Sequence, residues 1–163
     1  MPNMPKLVER DATPYVAVSA EVRIPFGEAI GPLMGEAAGY LDSTGVTGFG
    51  PALMKYDVID MPRLEMQFGF VTPAAVAGNA RVKAGMLPAG KYVTLTYFGH
   101  YDNLEKVTGT VIDWAREEGI EWDSTSGPNG EHFVSRFEIY PNGPMDEPDP
   151  NKWETQIWIK ARD

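Results

Sequence analysis

Arg136-Phe137-Glu138-Ile139-Tyr140, with Glu154-Thr155-Gln156-Ile157-Trp158-Ile159 after it, decides the fold, because the chain says much the same thing earlier. There the pair is Lys55-Tyr56-Asp57-Val58-Ile59 and Glu65-Met66-Gln67-Phe68-Gly69-Phe70. Upstream of each pair stands a Phe-Gly step, Phe26-Gly27 and Phe98-Gly99, opening a helical stretch. Each stretch carries an aromatic residue and stops at glycine: Tyr40 then Gly45, Trp114 then Gly119. Agreement in order and pattern across the elements points to a duplicated unit of strand, helix, strand, strand. Two related halves face each other, and the seam between them is a natural place for a pocket.

Alternation and helical spacing supply the elements. Val16, Val18, Ala20, Val22 and Ile24 alternate, which predicts a strand over 15–24. Ile30, Leu33, Ala37 and Leu41 fall on one helical face over 28–42, and 45–51 reads as a loop. Strands are expected at 52–60, 64–72, 91–98, 132–140 and 153–161. The second helix is expected to start at Asp102 as N-cap with Glu105 as its capping-box partner, to bury Leu104, Val107, Val111 and Trp114, and to stop at Gly119. The fold class is α+β: duplicated β-α-β-β units with pseudo-two-fold symmetry, an antiparallel sheet, helices on one face and a ligand cleft between the halves. Residues 1–12 read as a lead-in and 13–163 as one domain. Its first repeat covers about 13–72, a weakly patterned linker about 73–89, and the second repeat about 90–163.

Composition narrows the function. The chain has 163 residues, no cysteine and a formal charge of −9. Disulfides, thiolate chemistry and zinc-thiolate sites are excluded. No apolar run approaches the ~18 residues needed to cross a bilayer, so no membrane partner is expected. Phosphate backbones would repel so acidic a chain, so no direct nucleic-acid binding is expected. His100 and His132 stand far apart, and neither a metal-ligand spacing nor a Ser-His-Asp set is visible, so no metal and no cofactor are expected. With no signal peptide, a cytoplasmic monomer is expected.

Strand parity sorts the candidate site residues. Phe133, Ser135, Phe137 and Ile139, with Thr155, Ile157 and Ile159, are expected to meet the helices. Arg136, Glu138 and Tyr140, with Gln156 and Trp158, then share the other face, an aromatic lining around a carboxylate. The same pattern also fits a sheet edge where Glu138 pairs with Arg136. Two registers of the first half send Tyr56 to opposite faces, and the residues alone leave them open.

Further residues resemble a known family. Tyr97-Phe98-Gly99-His100-Tyr101 is similar to its aromatic-x-Gly-x-Tyr turn, Trp114 to its helix Trp, and Phe137-Glu138-Ile139-Tyr140 to its Glu-x-Tyr strand. Trp153 with Thr155-Gln156-Ile157-Trp158-Ile159 resembles its closing strand, and Leu7-Val8-Glu9-Arg10 before Tyr15-Val16-Ala17 its opening. This is the GyrI-like effector-binding family, found also at the C-terminus of multidrug-sensing bacterial transcription activators. The resemblance implies stand-alone binding of lipophilic, aromatic or cationic small molecules, in sensing or sequestration. It makes Glu138 the buried glutamate, Tyr140, Trp158, Tyr56 and Tyr101 the aromatic walls, and turns Tyr56 towards the cleft. Gln156, standing where the family usually has Glu, and Met54 complete the expected ligand-binding set. No helix-turn-helix precedes the pattern, so a complete DNA-binding regulator is not expected. One alternative is a cofactor-independent hydrolase of reactive electrophiles, with Glu138 as the catalytic acid or base. Another is a protein-interaction role such as modulation of DNA gyrase. Arg136 is a candidate to neutralise Glu138.

Overall fold

A computed structural model of the protein describes residues 4–46 and 50–163; the expected loop at 45–51 therefore lies partly outside the described residues. The first unit is β2 (Thr13–Arg23), α1 (Gly27–Ser43), β3 (Ala52–Asp60) and β4 (Arg63–Val71). The second is β6 (Gly90–Phe98), α2 (Leu104–Glu117), β9 (Arg136–Tyr140) and β10 (Glu154–Lys160). All strands join one antiparallel sheet with the order β1-β6-β10-β9-β3-β4-β2-β5, where β1 is Lys6–Arg10 and β5 is Val82–Leu87. Read from either end, that order lists equivalent strands of the two units. β9 pairs with β3 at the centre, so main-chain hydrogen bonds form the seam. A hairpin of β7 (Ser124–Gly127) and β8 (Gly130–Phe133) pairs with β3 beside it.

Two expectations need correcting together. The lead-in holds β1, which pairs with β6, and the linker holds β5, which pairs with β2. Each edge strand runs directly into one unit but completes the sheet of the other. Asp11 and Ala12 join β1 to β2, and Pro88 and Ala89 join β5 to β6. Such short links tie opposite ends of the strand order together, so the sheet curls. Tyr15 and Leu87 from one end meet Tyr92 and Phe137 from the other in a core on the concave face.

The helices cover the convex face. α1 lays Ala37 and Leu41 on Val16, Val18 and Val82. α2 lays Val111 and Ala115 on Val93, Leu95, Ile157 and Ile159, with Val107 and Trp114 at the margin. Removing side chains of this size from water stabilises the fold by about 1.5–3 kcal/mol each. Gly45 and Gly119, at φ +75° and +71°, end the two helices in the left-handed region as expected. The start of α2 differs. A 3-10 turn, Tyr101–Asn103, precedes it, and His100 Nδ1 accepts the Asp102 amide, so Asp102 is not the N-cap.

Gly69 marks the tightest approach in the sheet. A Cβ there would land on the backbone of Val16 and Ala17. Gly69→Ala is expected to destabilise the protein by about 1–3 kcal/mol or more, because β2 and β4 must part. Urea unfolding of the variant beside the parent checks this; an unchanged midpoint would contradict the close packing.

Candidate functional site

The seam register places the site. Met54 stands directly opposite Glu138 across β3 and β9, and Ile157 opposite Glu138 across β9 and β10. Directly paired residues share a face, so Glu138 lies on the convex, helix-bearing face. The parity expectation is corrected here: Phe137 pairs with Trp158, and Ile139 with Gln156, on the concave face. A bend at Val134-Ser135 separates β8 from β9, so Phe133 and Phe137 do not belong to one continuous alternation. Phe133 packs under α2, and Phe137 packs in the concave core.

Glu138 is 7% exposed, with its carboxylate between the hydroxyls of two tyrosines. Tyr56 donates to Oε1 at 2.9 Å and Tyr140 donates to the same oxygen at 2.6 Å. The register left open in the sequence is thereby resolved: Tyr56 turns to Glu138. A bulge between Tyr56 and Val58 follows, which returns Ile59 to the same cluster as Tyr56. Oε2 accepts no hydrogen bond from a described residue. Burial pushes the Glu138 carboxyl above its ordinary range, while the two tyrosine donors and, less strongly, Arg136 pull it back. Burial and the neighbouring carboxylate hold both Tyr56 and Tyr140 well above the usual phenol range, so they remain donors.

Arg136 is not the ion-pair partner envisaged from the sequence. It shares Glu138's face, but its guanidinium lies over aromatic rings, 4.9 Å from the Phe133 centroid and 5.7 Å from that of Tyr56. Among the described residues it forms no ion pair with Glu138.

The walls come from both halves. On the α1 side, Phe26, Ile30, Leu33 and Met34 pack with Met54, Tyr56 and Tyr140. On the α2 side, Tyr101 meets Tyr140 edge-on at 5.8 Å and stacks on Trp153 at 4.8 Å. Trp153 is held by its indole N–H donating to the Glu147 carbonyl at 2.8 Å. Of the expected site residues, Glu138, Tyr140, Tyr56, Tyr101 and Met54 therefore come together. Trp158 and Gln156 lie on the concave face, where the Trp158 indole donates to Gln156 Oε1 at 3.1 Å. Sequence reading missed Trp153 and the α1 residues as walls. The signal for Trp153 was its place just before the closing strand. Among the described residues, no group of three or more His, Asp or Glu side chains is arranged to hold a metal. Nor is any helix long and apolar enough to cross a membrane.

Comparison with known proteins agrees with this fold. A family model described as a GyrI-like small molecule binding domain matches residues 3–162. No curated protein matches the chain. The EcmrR C-terminal domain has the same fold at TM-score 0.68 and 17% identity, covering 100% of this chain and 99% of that one. In its complex with DNA, EcmrR is a longer chain, of which this protein spans 58%. SAV2435 bound to tetraphenylphosphonium matches at TM-score 0.60 and 12% identity, over 99% of this chain and 94% of that one. A hydrolase from Listeria innocua matches at TM-score 0.63 and 14% identity, over 99% and 93%.

The titration of Glu138 tests the site's electrostatics in two ways. Hydroxyl donors favour its charged form, so Tyr56→Phe and Tyr140→Phe should each raise the carboxyl pKa further. Carboxyl-carbon NMR across a pH series reads this; a fall in either variant would contradict the arrangement. A carboxyl raised on folding also favours the folded state only while protonated. That contribution is present below the unfolded pKa and is lost as pH rises through the folded one. Glu138→Gln should therefore be more stable than the parent at pH 8, by a margin that closes towards pH 4 in thermal unfolding.

Proposed function

The chain belongs to the GyrI-like small-molecule binding family, and from that membership we propose that it binds lipophilic cations in the groove between α1 and α2, over Glu138. The observation that carries this reading is the carboxylate itself. Glu138 is buried, both tyrosine bonds fall on one of its oxygens, and among the described residues no cation is ion-paired to it. A cation reaching Oε2 would supply the missing counter-charge, and aromatic faces around it would add on the order of 1–2 kcal/mol. Burial of apolar ligand surface against Phe26, Met34, Met54 and Tyr101 would supply most of the affinity, at roughly 25 cal/mol per Å². The groove is closed over Glu138, so a ligand has to part the aromatic lining. Met34 and Met54 are side chains suited to such repacking. Sensing or sequestration of such compounds, by a cytoplasmic protein, is the role this supports.

A second reading follows from the same carboxyl. Once a ligand has parted the lining, a protonated glutamic acid can donate a proton to a strained or electrophilic compound and then activate water as a base. Release of product from bound compound would distinguish this from binding alone.

Tetraphenylphosphonium is the probe for the first reading. Titration should quench Trp153 fluorescence to saturation. Its affinity should rise with pH, because Glu138 ionises only above its raised pKa. Glu138→Gln should weaken binding by about tenfold or more, the loss of one buried charge pair. Trp153→Phe should remove much of the signal while leaving calorimetric binding within a few-fold. Equal affinity in Glu138→Gln at pH 8 would sink the proposal.

A further inference from the structure

The concave face, across the sheet from Glu138, carries a second set of unsatisfied polar groups. Arg10, on β1, lays its guanidinium over the aromatic wall of the second unit, 4.5 Å from the Trp158 centroid and 5.3 Å from that of Phe137. Those rings stack at 6.2 Å, and Tyr92 meets both edge-on at 6.0 and 5.7 Å. Arg10 Nη2 makes one long bond, to Thr13 Oγ1 at 3.4 Å, and its enclosed Nε has no acceptor. No carboxylate ion-pairs with it among the described residues, although the chain carries a net charge of −9. The buried cations nearby are treated differently. Lys160 pairs with Asp123 at 3.0 Å, and Lys55, across the strand from Phe137, pairs with Asp57.

Thr94 supplies the second observation. It stands directly opposite Trp158, is 4% exposed, and its hydroxyl is enclosed without a partner. Arg10 Nε and the Thr94 hydroxyl, the first part of a full positive charge, thus flank the same indole with no acceptor among the described residues. Leaving such groups buried and unpaired is costly, and an oxyanion satisfies both. The aromatic wall favours an anion with an apolar body over a bare one. Arg10 rises from β1, an edge strand paired on one side only.

We propose that the concave face is a second binding site, for a small aromatic carboxylate held by Arg10 and Thr94 beside Trp158. The preference is opposite in sign to that of the Glu138 groove. The two sites lie on opposite faces of one sheet, and neither proposal depends on the other.

Benzoate and inorganic phosphate, each titrated at fixed ionic strength, are the probes, with the Trp158 indole 1H–15N resonance as readout. Benzoate should shift that resonance to saturation in the parent protein, and more tightly than phosphate. Arg10→Met should weaken benzoate by about tenfold or more, since it removes a charge-assisted bond. Arg10→Lys retains the charge but loses the planar fork, so it should also weaken binding, and it carries the test if Arg10→Met does not fold. Thr94→Val should cost several-fold, and Lys106→Ala, an exposed residue of α2 on the other face of the sheet, should cost nothing. Absence of a saturable benzoate shift overturns the proposal, as does equal affinity in the Arg10 variants. Phosphate binding as tightly as benzoate overturns the assignment to an aromatic carboxylate.

Discussion

Pairing of β3 with β9 is the constraint from which the rest follows. It joins the two units through main-chain hydrogen bonds rather than through side-chain contacts alone, and it fixes the register to the residue. A slip of one position would send Glu138 to the concave face and Phe137 under the helices. With the register held, a carboxylate is placed at the centre of an apolar sheet, where water cannot solvate it freely. The fold compensates with two phenolic donors, one from each unit. Tyr56 and Tyr140 therefore have a structural duty. They make the buried carboxylate tolerable, and they leave one of its oxygens without a partner among the described residues.

Much of the architecture was legible because it is local. Helical spacing around Leu33, Ala37 and Leu41 and around Val107 and Val111, the glycines ending both helices, and alternation in β2 and β6 all act over a few residues. Two of the missed strands, Lys6–Arg10 and Val82–Leu87, failed for one shared reason. Each is short, lies at an edge and carries solvent-facing polar residues, so its alternation is faint. Its partner also lies in the other unit, where no local rule points. Their equivalence in the strand order makes the duplication more complete than the sequence suggested.

The site was legible in its centre and misread at its margin. Glu138, Tyr140, Tyr56, Tyr101 and Met54 come together, Tyr56 and Tyr101 having been expected there from the family resemblance and not from the residue pattern. Trp158 and Gln156 did not join them, because parity within one strand says nothing about which residue of the next strand stands opposite. Ile157, not Trp158, faces Glu138's side. The place expected for Trp158 is taken by Trp153, whose position depends on its stacking on Tyr101 and on the carbonyl of Glu147, neither of which alternation encodes.

The exchanged edge strands also impose an order of assembly. Neither unit can complete its own sheet. During synthesis the first unit leaves the outer edge of β2 bare until Val82–Leu87 has emerged, and Lys6–Arg10 waits for Gly90–Phe98, far along the chain, before it has anything to pair with. Closing such distant contacts is slow compared with forming the helices. Residues 6–10 are thus made long before they are secured, and the exposed edge of a half-finished chain is where a chaperone, or a misplaced strand from another copy, would first find purchase.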